Sequence, residues 1–145
     1  MKKILILNGP NLNMLGTREP EIYGYQTLRD VEDMCHRAAH GLGMRIDFRQ
    51  SNHEGELVDW IQEALGLYDA ILINAAAYTH TSVAIHDALK MHKVPIIEVH
   101  LSNPKKRDKF RRFSYIKPLA TEIIAGKGAQ GYVEAIEKIK KILNS

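Results

Sequence analysis

Glu98 and His100 stand two positions apart at the end of an almost entirely apolar run, Val94 to Val99. In an extended strand that spacing turns both side chains to one side. A carboxylate there can orient or charge the imidazole, which makes a general acid near neutral pH. Arg18 and Tyr23 form a second pair of interest. A tyrosine hydroxyl, with a reference pKa of about 10, is a poor base at neutral pH unless a nearby cation favours the phenolate. Arginine can supply that stabilisation without losing its own proton. Beside Gly24, Tyr23 also reads as a simple loop anchor, and Tyr25 offers a competing hydroxyl. Asn11 joins Arg18 and Tyr23 as a third hydrogen-bonding group in one candidate binding loop or lid.

Other chemistries fit the residues less well. Neither Ser82 nor Ser102 lies in a Gly-x-Ser-x-Gly elbow, so a hydrolase nucleophile is not indicated. Ser102, in Leu-Ser-Asn, is better read as a hydroxyl and backbone donor around an anion. Gly9-Pro10-Asn11 and Gly16 match neither the dinucleotide fingerprint nor the phosphate-binding loop with its Lys-Ser/Thr pair. Flavin or nucleotide binding stays as an alternative compatible with the fold, as does a catalytically silent oligomerisation or binding module. His53, His80 and His100 lack the local spacing of a helical zinc motif. Metal ligation and a structural capping pair remain open beside acid–base work for Glu98 and His100. His36, His40, His86 and His92 fall on predicted helices as surface groups, and His53 is expected to cap the turn before Glu54.

The elements that must position these groups are strands and helices in alternation. Ile4 to Leu7, Ala70 to Ile73 and Pro95 to Val99 each run into polar residues. If these strands are parallel neighbours, their C-terminal ends share the edge where open α/β folds place their ligand crevice. Asn8 to Gln26 shows no helical or alternating period and is longer than the usual connector. Thr27, with Asp30 three positions on, caps a helix bearing Leu28, Val31, Cys35, Ala38 and Leu42, which Gly41 or Gly43 ends. Met44 to Gln50 reads as a strand with Ile46 and Phe48 on one face. Glu54 to Leu67 reads as a helix striped with Leu57, Ile61 and Leu65. Thr81 or Ser82 opens another helix, with Ile85, Ala88 and Leu89 for packing, that runs through Met91. A short strand near Glu122 to Ala125 precedes a last helix from about Gly131 to Leu143. Its apolar side is Tyr132, Ile136, Ile139 and Leu143, and Glu134 with Lys138 and Glu137 with Lys141 are surface pairs. With right-handed crossovers, this repetition gives a single-domain α/β fold over residues 1–145, a doubly wound five-stranded parallel sheet.

A chain of 145 residues accommodates one domain with a real core. No apolar stretch reaches the roughly 18 residues needed to cross a membrane, and Met1-Lys2-Lys3 leads into a buried strand rather than a signal peptide. Cys35, the single cysteine, suits core burial in a reducing cytosol. The net charge of +3 is mild. Its local excess is Lys105, Lys106, Arg107, Lys109, Arg111 and Arg112, diluted by Asp108. Beside His100 and Ser102, that patch suits a small anion drawn to a cleft better than nucleic acid.

Six ordered motifs resemble the type II 3-dehydroquinate dehydratases, or type II dehydroquinases. They are the run from Asn8 to Gly16, Arg18-Glu19-Pro20, Tyr23-Gly24, Gln50 to Gly55, Tyr78 to Ser82, and Glu98 to Asn103, and Phe110-Arg111 and Ser114-Tyr115 continue them. Gly126, Gly128, Gly131 and Tyr132 extend the likeness almost to the end of the chain. The resemblance implies a flavodoxin-like sheet of order 2-1-3-4-5 and a homo-oligomer, a dodecamer built from trimers. It also implies reversible dehydration of 3-dehydroquinate to 3-dehydroshikimate, a step of the shikimate pathway and, in some organisms, of quinate breakdown, and the enzyme is expected in the cytoplasm. The elimination is anti, passes through an enolate, and uses no cofactor and no metal; neither nucleic acid nor membrane is a partner.

By the same resemblance, Tyr23 is the base at C2 and Arg18 the lid arginine that favours its phenolate. Asn11 holds the water that stabilises the enolate oxygen. His100 is the acid for the departing C1 hydroxyl, oriented by Glu98. Asn74, Leu101 and Ser102 receive the leaving-group region and the substrate carboxylate, while His80 and Arg111 grip ring hydroxyls. Asp87 matches a position that reaches a neighbouring subunit's site. Two stretches depart from the family pattern. Asn74-Ala75-Ala76-Ala77 stands where a glycine-containing turn is more usual, and Arg112-Phe113 replaces a histidine-rich pair.

Overall fold

Five parallel strands form one sheet in the order β2-β1-β3-β4-β5: β1 Lys3–Asn8, β2 Arg45–Gln50, β3 Ala70–Asn74, β4 Ile96–His100 and β5 Glu122–Ala125. The computed structural model describes residues 1–17, 21 and 25–144. The observed order is the one the resemblance implies. The alternation of strands with α1 (Leu28–Gly41), α2 (Glu54–Glu63), α3 (Val83–Lys90) and α4 (Gln130–Leu143) covers both faces. Strand periodicity divides the core in two. Ile4 and Ile6 of β1 join Val31 and Cys35 of α1 and Ile136 and Ile139 of α4 on one face. Leu5 and Leu7 join Leu57 and Ile61 of α2 and Ile85 and Leu89 of α3 on the other. Burial pushes the Cys35 thiol up to about 12, so it behaves as a small apolar group.

Local chemistry sets the helix starts. Thr27 and Asp30 form a reciprocal capping box at α1, and the Thr27 backbone and hydroxyl bonds hold the Asp30 carboxyl below its ordinary range. The Ser82 side chain accepts the Ile85 N–H at 2.9 Å to open α3.

Several expectations need correction. Helix α2 stops at Glu63, ahead of Gly66 at φ 76°, so Leu65 leaves the stripe and is exposed while Ala64 is buried in its stead. His53 occupies the N-cap of α2 without a side-chain capping bond; the Ser51 hydroxyl accepts the His53 N–H instead. The Glu134–Lys138 pair expected along α4 is replaced by tertiary ones, Lys127 with Glu134 at 2.7 Å and Lys138 with Glu122 at 3.3 Å, and Glu137 with Lys141 forms no ion pair among the described residues. His86 and His92 are half-buried and bond the carbonyls of Tyr115 and Ile61, whereas His36 and His40 are exposed as expected. The stretch after β1 contains a 3-10 turn, Leu12–Met14, whose Leu12 is buried together with Leu15. Among the described residues, no helix is long and apolar enough to cross a membrane.

Candidate active site

Register brings the polar strand ends to one edge. Asn8 of β1 lies between Gln50 of β2 and Asn74 of β3, and Ile73 pairs with Glu98, so His100 projects past the end of β3. Asn8 and Asn74 are both buried, and their amides are locked by a third buried group, the hydroxyl of Tyr132 on α4. That hydroxyl donates to Asn8 Oδ1 at 2.7 Å and accepts from Asn74 Nδ2 at 3.0 Å. Asn74 Oδ1 also accepts the Ala76 N–H at 3.1 Å. An amide has two donors and two acceptor sites, so one of each remains for a ligand. Burial pushes the Tyr132 phenol well above its ordinary value and keeps it a neutral bridge.

The turn beyond β3 carries the departure foreseen in the sequence. Ala76 sits at φ 53°, in the left-handed region that glycine enters without a Cβ clash. Close by, the Gly9 N–H donates to the Asn74 carbonyl at 2.8 Å. A Cβ at Gly9 would lie 2.2 Å from the Ala75 carbonyl oxygen, so only glycine lets the two strand ends approach this closely. Asn11, also left-handed at φ 70°, is pinned through its N–H to Asn52 Oδ1 at 2.9 Å.

These elements wall a cavity of about 140 Å³. Of the expected site residues, Asn11, Asn74, His80, His100, Leu101, Ser102 and Arg111 all line it. Glu98 lies behind His100 on a second cavity of about 330 Å³, which meets the first at His80, His100, Pro104 and Arg111. Asp87 is exposed on α3 and lines neither cavity. Arg18 and Tyr23 lie outside the described residues.

Glu98 and His100 are buried, with 1% and 8% exposure, and the imidazole Nε2 is 2.5 Å from Glu98 Oε2. A carboxylate this deep needs charged or hydrogen-bonding partners, and an imidazole that donates through Nε2 to it keeps its other nitrogen for a ligand. The Ser114 hydroxyl donates to the same Oε2 at 2.9 Å, while Oε1 has no hydrogen-bond partner among the described residues. His80 donates from Nδ1 to the Phe113 carbonyl at 2.7 Å. Burial lowers its pKa, and the charges of His100 and Arg111 push the same way, against that carbonyl bond and Glu98. In the neutral ring Nε2 is then an acceptor. The Arg111 guanidinium lies 5.0 Å from the Phe110 ring centroid, and its Nε, 3.6 Å from Asp108, makes no hydrogen bond to the described residues.

The segment 113–115 emerges as a positioning strap. Phe113 fixes His80, Ser114 holds Glu98, and the Tyr115 N–H donates to the Thr79 carbonyl at 2.9 Å. Neither Ser114 nor Tyr132 had a site role in the sequence reading. The available signals are their places in the stretches that resemble the family and, for Tyr132, a hydroxyl within the apolar stripe of the last helix. Leu12, Leu15, Ala77 and Arg107 are further lining residues without a prior assignment. Among the described residues, no three His, Cys, Asp or Glu side chains converge as metal ligands.

Together these groups suit binding of a small polyhydroxylated anion and proton delivery at its edge. Comparison with known proteins agrees on one family. The family described as Dehydroquinase class II matches residues 2–140. The 3-dehydroquinate dehydratase of Phenylobacterium zucineum (strain HLK1) is 58% identical over 94% of this chain and 94% of its own. The crystal structure of the type II dehydroquinase from Propionibacterium acnes superposes with a TM-score of 0.94 at 40% identity, covering 97% of each chain. That of the type II dehydroquinase from Butyrivibrio crossotus DSM 2876 gives 0.93 at 42%, covering 99% of this chain and 98% of the other.

Proposed function

The chain belongs to the class II dehydroquinase family, and from that premise we propose that it dehydrates 3-dehydroquinate to 3-dehydroshikimate, reversibly, by anti elimination through an enolate and without a cofactor. The observation that carries this reading is the buried Glu98–His100 pair at the wall of a cavity that also gathers Asn11, Asn74, His80, Ser102 and Arg111. In the forward direction a base takes the proton from C2, and the electron pair of that C–H bond passes into the enolate. The C1–O bond then breaks as the enolate collapses, and the departing hydroxyl takes a proton to leave as water. Tyr23 is assigned the base, with Arg18 favouring its phenolate. Asn11 holds the water against the enolate oxygen. His100 supplies the proton at C1, and Glu98 orients its ring and balances its charge. Leu101, Ser102 and the free valences of Asn74 receive the carboxylate and leaving-group region. Neutral His80 accepts from a ring hydroxyl and Arg111 donates to another. A positioned general acid or base contributes on the order of 10²- to 10⁴-fold.

Asp87 belongs to the assembly part of the proposal. Its exposure on α3, away from the cavities of its own chain, suits a carboxylate offered to a neighbour's site in a trimer, four of which make a dodecamer. The enzyme is assigned to the cytoplasm and its catalytic domain to residues 1–145.

The decisive experiment adds 3-dehydroquinate to metal-stripped protein and follows the conjugated enone by ultraviolet absorbance. Enone formation by wild type, with nearly all turnover lost in Tyr23→Phe and substrate binding retained, is the expected result. Turnover that disappears on stripping and returns only with a divalent ion overturns the cofactor-free mechanism; near-native Y23F overturns the base. Light scattering with activity along a dilution series tests the assembly, and a fully active monomer removes the role of Asp87.

A further inference from the structure

The Ser114 hydroxyl has one hydrogen and two acceptor sites, and the structure accounts for all three. It accepts the Ile116 N–H and the Lys117 N–H, each at 3.1 Å. Its hydrogen is therefore directed to the remaining partner, Glu98 Oε2, at 2.9 Å. A hydroxyl normally rotates to suit its neighbours; here two backbone donors aim it. The flanking backbone is fixed as well, because Phe113 takes the His80 bond and Tyr115 bonds to Thr79 and His86. Glu98 Oε2 thus receives two donors, His100 Nε2 and Ser114 Oγ, while Oε1 receives none from the described residues. That asymmetry sets the two carboxylate oxygens apart, and one oxygen meets both donors.

From this geometry we infer that Ser114 is a positioning residue for the general acid: it sets the Glu98 carboxylate so that the His100 ring presents its other nitrogen to the leaving hydroxyl. The inference rests on the dehydratase reading given above. Ser114 touches no reacting atom and acts through Glu98. Without its hydroxyl the carboxylate is free to turn about its terminal torsion, and the imidazole loses its fixed direction. The enolate still forms, because the base is untouched, but it waits longer for a proton at C1 and returns more often to substrate.

The test compares wild type, Ser114→Ala and Ser114→Thr as assembled enzymes, turning over 3-dehydroquinate in deuterium oxide. Steady-state kinetics give kcat and KM, and mass spectrometry of recovered substrate gives the deuterium taken up at C2 per product formed. Loss of one hydrogen bond to a charged group predicts a fall in kcat of roughly 10- to 100-fold with KM nearly unchanged. Deuterium uptake per turnover should rise in S114A, and S114T, which keeps the hydroxyl, should recover most of the rate. Unaltered kcat in S114A overturns the inference. So does a lower kcat with unchanged deuterium uptake per turnover, or a fall in melting temperature that accounts for the lost activity and is shared by S114T. A wild type inactive on 3-dehydroquinate overturns the dehydratase reading itself, whereas an active wild type with an unaltered S114A overturns this inference alone.

Discussion

On the outer strand β2, the Tyr68 hydroxyl donates to Asp47, Lys3 Nζ lies 3.5 Å from the same carboxylate, and the Lys3 N–H donates to Asp69 at 2.9 Å. Arg49 completes the group, its guanidinium 5.6 Å from the Trp60 ring centroid and within 3.4 Å of the Tyr68 oxygen. At the C-terminal edge of the sheet the polar residues are at least as numerous and more deeply buried. There Glu98 Oε1, Thr79 Oγ1 and Arg111 Nε have no hydrogen-bond partner among the described residues. A fold ordinarily satisfies the polar groups it buries, and the β2 cluster does so with its own side chains. The C-terminal edge leaves some of its donors and acceptors open. Polar groups that serve the fold are closed upon one another, and those that serve a ligand are held in place with valences to spare.

Four substitutions test that contrast. Glu98→Gln should have the largest effect, lowering kcat by on the order of 10²- to 10⁴-fold with little change in melting temperature, since the amide oxygen still accepts from Ser114. Kinetics and a thermal melt read both quantities. Collapse of the fold with activity would make this edge as structural as the other.

Tyr132→Phe lies where the two roles meet. It strips a buried bridge and leaves Asn8 Oδ1 and Asn74 Nδ2 each short of a partner. The expected cost is about 1–3 kcal/mol of stability by denaturant titration, together with a rise in KM because Asn74 loses its fixed orientation.

Tyr68→Phe should weaken stability alone, by about 0.5–1 kcal/mol after allowance for exposure, with kcat and KM unchanged. Its pH dependence is specific. The Tyr68 bond is the largest cause holding the Asp47 carboxyl below its ordinary range, so the stabilisation it brings is present above the unfolded carboxyl value and disappears as pH falls through the depressed one. The Tyr68 phenol is pushed up to about 12, first by burial and then by Asp47. Its share is present below the unfolded value of about 10 and lost as pH rises through about 12. Melts from pH 2 to 12 should show the difference between wild type and Y68F closing at both extremes; a constant gap contradicts the linkage.

Ala76→Gly is the smallest change. Relief of the left-handed alanine offsets the greater freedom that glycine loses on folding, for a net gain of about 0.5 kcal/mol. A measurable loss of stability would mean that the Ala76 methyl contributes packing at the cavity wall.

Much of this site was legible in the residues because the relevant spacings are local. A strand's period of two puts Glu98 beside His100 whatever surrounds them, and the βα alternation leaves few topologies for the sheet. Local rules failed where a nonlocal partner intervened. Glu134 and Lys138 are correctly spaced for a helical pair, yet Lys127 and Glu122 take them. His86 reads as a surface residue until the strap passes over α3 and presents the Tyr115 carbonyl. Leu65 fits the helical stripe, but the helix ends at Glu63 and Gly66 turns the chain away.

By itself, then, the sequence determined the family, the parallel five-stranded sheet, the Glu98–His100 pair and the sheet edge that carries the candidate site, because these follow from periodicity, motif order and spacing along a strand. Only the tertiary structure decided that Tyr132, 124 residues from Asn8, joins two strand ends through one hydroxyl. It alone showed that Ser114, 16 residues beyond Glu98, has its hydrogen directed at that carboxylate. A hydrogen bond depends on positions within about 3 Å, and residues far apart in sequence reach such positions only when packing of the whole chain brings their elements together.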